Sequence, residues 1–163
     1  ALVRSGAADL GIATQTEART DLVATVLDVD EFVVAMRGDH PLARARRLDW
    51  PDVAREALIG YLPGNPVRRL LEDCLAVRGV QLSYAYEIAL PWTMLGLAGE
   101  GLGVAVVTQA LRPLARWHGL EVRTVGHPPL ARTLTLLRAP GGSPSPAAAA
   151  FREELLKAVG AAD

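Results

Sequence analysis

Three closely spaced glycines between an apolar helix end and a β-branched run constrain this chain more than any other feature. Residues 97–108 read LAGEGLGVAVVT. The glycines allow a sharp turn with positive φ and a close approach of helix and strand. The run 104–108 is typical of a strand buried on both faces, as in a parallel sheet. The segment therefore predicts one helix-to-strand joint of a layered α/β domain.

Length and composition limit the class of protein. The chain has 163 residues, which suits one domain or two small lobes. Half of its residues are hydrophobic and 21% are charged, so it has enough apolar content for a core and does not resemble a disordered segment. The formal charge is −1 and no basic stripe is present, which argues against nucleic-acid binding by this part of the protein.

The number of cysteines and the first residues of the chain indicate in which cellular compartment the protein is expected. Cys74 is the only cysteine, so the chain has no internal disulfide framework of the secreted kind. No apolar run reaches the ~18 residues of a membrane span. The opening Ala1–Gly6 resembles the last turn of a helix rather than a signal peptide. We therefore expect a cytoplasmic protein, without membrane contact, of which an N-terminal part is missing.

Periodicity and cap residues predict alternating strands and helices. We expect strands at 9–14, 22–27, 31–37, 57–61, 82–88, 104–107, 121–125 and 133–138. We expect helices at 49–55, 65–78, 91–98 and 108–117, the last strained at Pro113, and a terminal helix from Ser145 with Phe151, Leu155, Leu156 and Val159 facing inward. Alternation between Asp49 and Val107 calls for βαβ units and mostly parallel sheets. The runs 22–27 and 31–37 interrupt that rhythm, as expected where the chain crosses between two lobes.

Several weak motifs in a fixed order resemble the effector-binding domain of LysR-type transcriptional regulators. They are the Gly6–Ile12 segment, the sequence His40-Pro41-Leu42-Ala43, the glycine joint, and Ser145-Pro146 followed by Phe151. The resemblance covers almost the whole chain. Thr108 stands where the family commonly has proline, and the family's winged helix-turn-helix and first strand–helix units are absent.

The resemblance implies a fold and a function. The fold would be the two-lobed periplasmic-binding-protein-like (type 2) α/β arrangement, with residues 1–37 and 129–163 as an incomplete first lobe and 38–128 as the second. The function would be that of a ligand-sensing domain, in which a small effector between the lobes biases a lobe or dimer arrangement. The family assembles as homodimers or tetramers, and DNA would be contacted only through the missing N-terminal helix-turn-helix domain.

Candidate ligand-binding residues follow from sheet geometry, because ligands of open α/β sheets lie beyond the carboxyl ends of the strands. Two of those ends lead into helix N-termini, where free N–H groups and the helix dipole favour an anion such as a carboxylate. Hydroxyl and amide groups there would orient it. The candidates are Thr14, Gly64, Asn65, Pro91, Trp92, Thr93 and Thr108.

Each candidate also has a purely structural interpretation. Asn65 and Thr93 would serve as helix caps, a role that does not exclude ligand contact. Trp92 and Tyr61 would either line a pocket or pack in the core. Cys74 lies on an apolar helix stripe, which favours packing over thiol sensing.

The sequence lacks the marks of an enzyme. His40, His118 and His127 lack metal-ligand spacing, and no nucleophile elbow or phosphate-binding loop occurs. We therefore expect no catalytic activity, no metal and no cofactor. The leading hypothesis is the regulator domain, a solute-binding protein of an uptake system is the alternative, and a small enzyme of the same fold comes third.

Overall fold

A computed structural model describes residues 2–15, 21–126, 128–141 and 144–160. The chain divides into unit 1 (Ala1–Val29 with Arg132–Asp163) and unit 2 (Asp30–Ala131). The lobe boundaries expected at 37/38 and 128/129 differ from these limits by eight and three residues and stay a prediction. His127 falls outside the described residues. Within them, no helix has the length and apolar character needed to cross a bilayer.

Strands and helices alternate through most of unit 2. The strands of the chain are β1 (Leu10–Gln15), β2 (Val23–Met36), β3 (Leu58–Tyr61), β4 (Tyr84–Ile88), β5 (Val104–Thr108), β6 (Glu121–Thr124) and β7 (Ala131–Arg138). The helices are α1 (Trp50–Val53), α2 (Pro66–Ala76), α3 (Pro91–Gly99), α4 (Arg112–Trp117) and α5 (Pro146–Val159), with 3-10 turns at Pro41–Arg44 and Gln109–Leu111. The predicted strand–helix order is confirmed apart from the differences given below.

The sheet of unit 2 is mixed. β3 pairs in parallel with β4 on one side and β5 on the other, while β2 pairs antiparallel with β5 and β6. Parallel pairing thus holds for β5, β3 and β4, and the expectation of mostly parallel sheets does not extend to β2 and β6. β2 runs opposite to β3, β4, β5 and β6, which helical crossovers keep in one direction, so its pairs with β5 and β6 are antiparallel.

One long strand replaces the two runs expected at 22–27 and 31–37. β2 continues through Asp28 and Asp30, which the sequence analysis treated as an interruption. Both aspartate side chains are hydrogen-bonded although the chain stays extended. Asp28 Oδ1 accepts a hydrogen bond from Val29 N at 2.8 Å, and Asp30 Oδ1 accepts one from Ala110 N at 2.9 Å. Since both carboxylates are satisfied in the extended chain, the strand does not have to end there.

Both faces of this sheet are covered by helices. One face carries α1 and α2, and its buried residues include Phe32, Leu58, Leu71 and Val106. The other face carries α3 and α4, and its buried residues include Val33, Ile59, Met94, Leu95 and Val107. Successive strand residues alternate between the two clusters, as the pleat requires. Unit 2 is therefore a helix–sheet–helix sandwich.

The glycine joint between α3 and β5 is confirmed. Gly101 has φ of +76°, and Gly103 has φ of +155°. A Cβ on Gly103 would lie 2.1 Å from the carbonyl oxygen of Ala57, which accepts a hydrogen bond from Val104 N at 2.9 Å. All five residues of β5 are buried. Gly103 is thus required by a close approach of two backbones.

Unit 1 contains an antiparallel pair and the terminal helix. β1 pairs with β7, and Val3, Leu22 and Leu137 form a small core. Ser145 caps α5 by accepting a hydrogen bond from Ala148 N at 3.3 Å.

The inward-facing side of α5 differs from the expected one. Leu156 is buried, but Phe151 and Val159 are 55% and 42% exposed. The least exposed residues of α5 are Leu156, which is buried, and Ala148, Arg152 and Leu155, which are half-buried, so Phe151 lies beside this stripe.

Replacing Gly103 by alanine should destabilise the protein by roughly 1–3 kcal/mol, because the new Cβ meets a backbone carbonyl that is itself hydrogen-bonded. Denaturant unfolding measures the loss. Gly38→Ala is the matched control, since a Cβ at Gly38 meets nothing within 4 Å, and it should stay within about 0.5 kcal/mol of the parent. Equal stability of the two variants would refute the close approach.

Candidate functional site

The carboxyl ends of three parallel strands meet at one edge of unit 2. From this edge β3 leads to α2 on one face of the sheet, whereas β4 and β5 lead to α3 and α4 on the other. Ligands of open α/β sheets bind where neighbouring connections leave to opposite faces, and here that point is the end of β3. Six predicted site residues come from segments that begin at this edge, namely Gly64, Asn65, Pro91, Trp92, Thr93 and Thr108.

Thr14 belongs to unit 1, near the end of β1. Its Oγ1 accepts a hydrogen bond from Arg132 Nη1 at 3.5 Å. A ligand role for Thr14 stays a prediction.

The N-terminus of α2 is closed by its own side-chain cap. Gly64 has φ of +82°, and Asn65 N donates to Leu62 O at 3.2 Å, which completes the turn after β3. Asn65 Oδ1 then accepts hydrogen bonds from Val67 N at 2.8 Å and Arg68 N at 3.4 Å. The cap interpretation of Asn65 is confirmed, and its amide oxygen already serves the helix.

The N-terminus of α3 has no such cap. Its cap position is Leu90, whose side chain makes no hydrogen bond, and Pro91 starts the helix. Thr93 therefore lies at the third helical position with an exposed side chain, so the cap interpretation of Thr93 is wrong. Trp92 is 55% exposed rather than packed in the core. An apolar ring and a hydroxyl flank an open helix end.

Thr108 ends β5 as one of the few buried polar residues. It is 2% exposed and pairs with Phe32 across the sheet. The expected helix from Thr108 to Trp117 is a 3-10 turn followed by α4, and Thr108 makes no side-chain cap bond. Pro113 lies in the first turn of α4, where proline is favoured, so it causes no strain.

Arg68 joins the segments that lead into both helices, and the sequence analysis missed it. Its Nη1 donates to Tyr61 O at 2.8 Å and to Glu87 Oε1 at 2.7 Å, and its Nε donates to Glu72 Oε1 at 2.7 Å. Burial lowers the pKa of Arg68, but the hydrogen bonds to Glu87 and Glu72 raise it above its ordinary value overall. The Arg68–Glu72 spacing of four residues on a helix was the signal in the sequence.

The ring of Tyr84 lies beneath this guanidinium. The Arg68 guanidinium carbon is 4.2 Å from the ring centroid, a cation–π contact. A Cβ on Gly60 would lie 2.2 Å from the same ring, so glycine makes room for it. Burial, with a further contribution from Glu72, raises the pKa of the Tyr84 phenol to about 12.

Other possible sites in the described residues are less developed. One cavity beneath the first turn of α2, lined by Val67, Leu71 and Tyr84 among others, encloses about 10 Å³, enough for one water at most. A surface depression between the first 3-10 turn and α1 is lined by Arg47, Asp52, Arg55 and others. No group of three potential metal ligands occurs in these residues. Cys74 is half-buried against the core on the α2 face.

Comparison with known sequences identifies relatives of one kind. The family described as LysR substrate binding domain matches residues 1–160. An uncharacterised HTH-type transcriptional regulator, YbhD of Escherichia coli, is 31% identical over 143 residues, which is 88% of this chain and 45% of that protein. A probable nitrogen assimilation transcriptional activator of Synechococcus elongatus is 26% identical over 140 residues, 83% of this chain and 45% of its own length. The chain thus spans less than half the length of these relatives.

Solved structures confirm the fold. The effector binding domain of QuiR in complex with shikimate superposes with a TM-score of 0.81 at 22% identity, covering 98% of this chain and 75% of that one. The regulatory domain of CcmR from Synechocystis in complex with 2-PG gives a TM-score of 0.82 at 20% identity, covering 97% and 76%. The expected two-lobed α/β fold class is therefore correct.

Asn65→Ala should lower the free energy of unfolding by about 0.5–2 kcal/mol, because the first turn of α2 loses the acceptor for two backbone N–H groups. Chemical denaturation followed by circular dichroism measures the change. Asn65→Asp keeps an acceptor of the same shape and should retain nearly all the stability. A loss equally large in Asn65→Asp would contradict the capping role.

Tyr84 should make folding sensitive to high pH. Its pKa is about 12 in the fold against 10.0 for a free phenol. The stability that neutral Tyr84 contributes is therefore complete below about pH 10 and is lost as the pH rises towards 12. Tyr84→Phe should remove one phenolate absorbance step from a chain with three tyrosines and flatten the decline in unfolding free energy over this range. If the unfolding free energy of the parent and of Tyr84→Phe declined equally over this pH range, the role of Tyr84 would be contradicted.

Proposed function

Because the chain belongs to the family of LysR substrate-binding domains, we propose that it is the effector-sensing part of a DNA-binding transcriptional regulator. The effector is a small organic anion, held at the carboxyl edge of the parallel strands between Asn65 and Trp92–Thr93. The curated relatives are described as transcriptional regulators, which favours this function over that of a solute-binding protein in an uptake system.

The open N-terminus of α3 carries the proposal. No side chain caps this helix end, and the backbone N–H of Trp92 has no hydrogen-bond partner in the described part of the chain. An anion placed there would gain ~0.3–1 kcal/mol from the helix dipole in addition to its hydrogen bonds. The exposed Thr93 hydroxyl and the Trp92 ring supply a polar and an apolar contact beside it.

The roles of the remaining candidates follow from their surroundings. Asn65 already caps α2, so its contribution to a ligand comes from its amide nitrogen. Gly64 leaves the backbone beside Asn65 free of a side chain, whereas Thr108 is only 2% exposed, so a ligand role for its hydroxyl stays a prediction. A ligand role for Thr14, which lies in unit 1, stays a separate prediction.

A carboxylate is the chemical class that these groups suit. QuiR is described in complex with shikimate, a hydroxylated carboxylate. A ligand of this class would use the helix end for its charge and the exposed Thr93 hydroxyl for one of its own hydroxyl groups.

Signal transmission needs only a difference in effector affinity between two arrangements of the protein. We propose that the regulator acts as a homodimer or tetramer in the cytoplasm and contacts DNA through a helix-turn-helix domain outside this chain. The domain itself carries out no chemical reaction on its effector.

Thr93→Val should weaken binding of the anion by ~0.5–1.5 kcal/mol, because it keeps the shape of the side chain but removes the hydroxyl. Titrating a panel of small carboxylates that includes shikimate into the full-length protein, by calorimetry, measures the change. Thr93→Ser retains the hydroxyl and should bind nearly as the parent does. Unchanged affinity in Thr93→Val, or a preference for cations across the panel, would reject the proposed site.

A further inference from the structure

We propose that Arg68 is a positioning residue of the effector site, which couples the segment that enters α2 to the segment that enters α3. The inference rests on the proposed function, since both segments belong to the proposed site. Arg68 acts through these segments and needs no contact with the effector.

The guanidinium binds both strand ends from which the segments leave. Its Nη1 donates to the carbonyl oxygen of Tyr61, the last residue of β3, directly before the segment 62–65. The same nitrogen donates to Glu87, one residue before β4 ends and the chain turns towards Pro91. One cation therefore holds the origins of both segments at hydrogen-bond distance.

A backbone hydrogen bond runs beside this link. Leu62 N donates to Ile88 O at 3.2 Å, joining the residue after Tyr61 to the residue after Glu87. The Arg68 bridge spans Tyr61 and Glu87, the immediate neighbours of this pair. Loss of the bridge should therefore loosen the Leu62–Ile88 bond first.

The position suits arginine and not lysine. The Arg68 side chain is only 14% exposed, and three oxygens surround its planar group, with the Tyr84 ring below. A guanidinium offers several N–H groups in a rigid fork, whereas an ammonium is a point charge on a flexible stem. Lysine would keep the charge but could not hold all these contacts in the same geometry.

The two carboxylates on Arg68 provide a matched pair. Each accepts a hydrogen bond of 2.7 Å, and their side chains are 38% and 40% exposed. Glu72 lies on α2 itself, four residues from Arg68, so its ion pair stays within one helix. Glu87 lies on β4, so only its ion pair ties α2 to the segment that enters α3.

The test compares Glu87→Met with Glu72→Met in the full-length protein without effector. Methionine keeps the length of the side chain but cannot pair with the guanidinium. Amide hydrogen exchange of Leu62, measured by NMR, reports on the bond to Ile88. We expect exchange of Leu62 at least fivefold faster in Glu87→Met, an intermediate acceleration in Arg68→Lys, and less than a twofold change in Glu72→Met.

A purely structural role would give a different pattern. If Glu72→Met and Glu87→Met accelerated exchange alike, or if neither changed Leu62 by twofold, the positioning role would be overturned. Variants that fail to fold are identified by loss of dispersed amide signals. In that case the Leu62 exchange rate of Arg68→Lys is compared with that of the parent protein.

Shikimate titration separates this inference from the proposed function. If both are right, Glu87→Met binds shikimate several-fold more weakly and Glu72→Met binds it as the parent does. Faster Leu62 exchange in Glu87→Met, with no carboxylate of the panel binding the parent, would support the coupling and reject the proposed effector class. Equal carboxylate affinity in the parent and Glu87→Met would overturn the positioning role while leaving the effector site intact.

Discussion

Parallel pairing on both sides of β3 is the constraint on which the candidate site depends. β4 and β5 hydrogen-bond to β3 in the same direction, so their carboxyl ends lie at one edge of the sheet. The buried clusters on the two faces require helices on both sides, and β3 sends its connection to the face opposite to that of its neighbours. The site edge is thus a consequence of how the core is covered.

The two helices that start at this edge differ in how their N-termini are satisfied. In α2 the amide oxygen of Asn65 accepts from two backbone N–H groups. In α3 the cap residue is Leu90, whose side chain offers no acceptor, so its carbonyl oxygen alone accepts hydrogen bonds, from Thr93 N and Met94 N. Helix N-termini carry partial positive charge that a side chain, water or ligand must satisfy. We propose that this difference directs an anionic effector towards α3, while Arg68 links the strand ends that precede the two helices.

Local signals in the sequence predicted much of the fold. The glycine joint and the Asn65-Pro66 start of α2 each depend on nearby residues, and both occur as expected. The single strand β2 was not predicted, because the partner of Asp30 is the Ala110 amide, 80 residues away. The exposure of Phe151 was missed for a similar reason, since a helical stripe does not specify which of two adjacent faces is covered. Arg68 was missed because its decisive partner, Glu87, lies 19 residues away on another element.

Chemical shifts of backbone amides test the central claim most directly. Titrating shikimate into the ¹⁵N-labelled full-length protein compares the N–H groups at the start of α3, Trp92 and Thr93, with those at the start of α2, Val67 and Arg68. We predict the largest saturable shift at the Trp92 amide, whose backbone N–H has no partner in the described residues, and a smaller one at Thr93, whose N–H bonds to Leu90 O at 3.1 Å. Changes at Val67 and Arg68, whose N–H groups bond to the Asn65 side chain, should be much smaller. Saturable shifts confined to Val67 and Arg68, or to residues away from the carboxyl edge of the sheet, would contradict it.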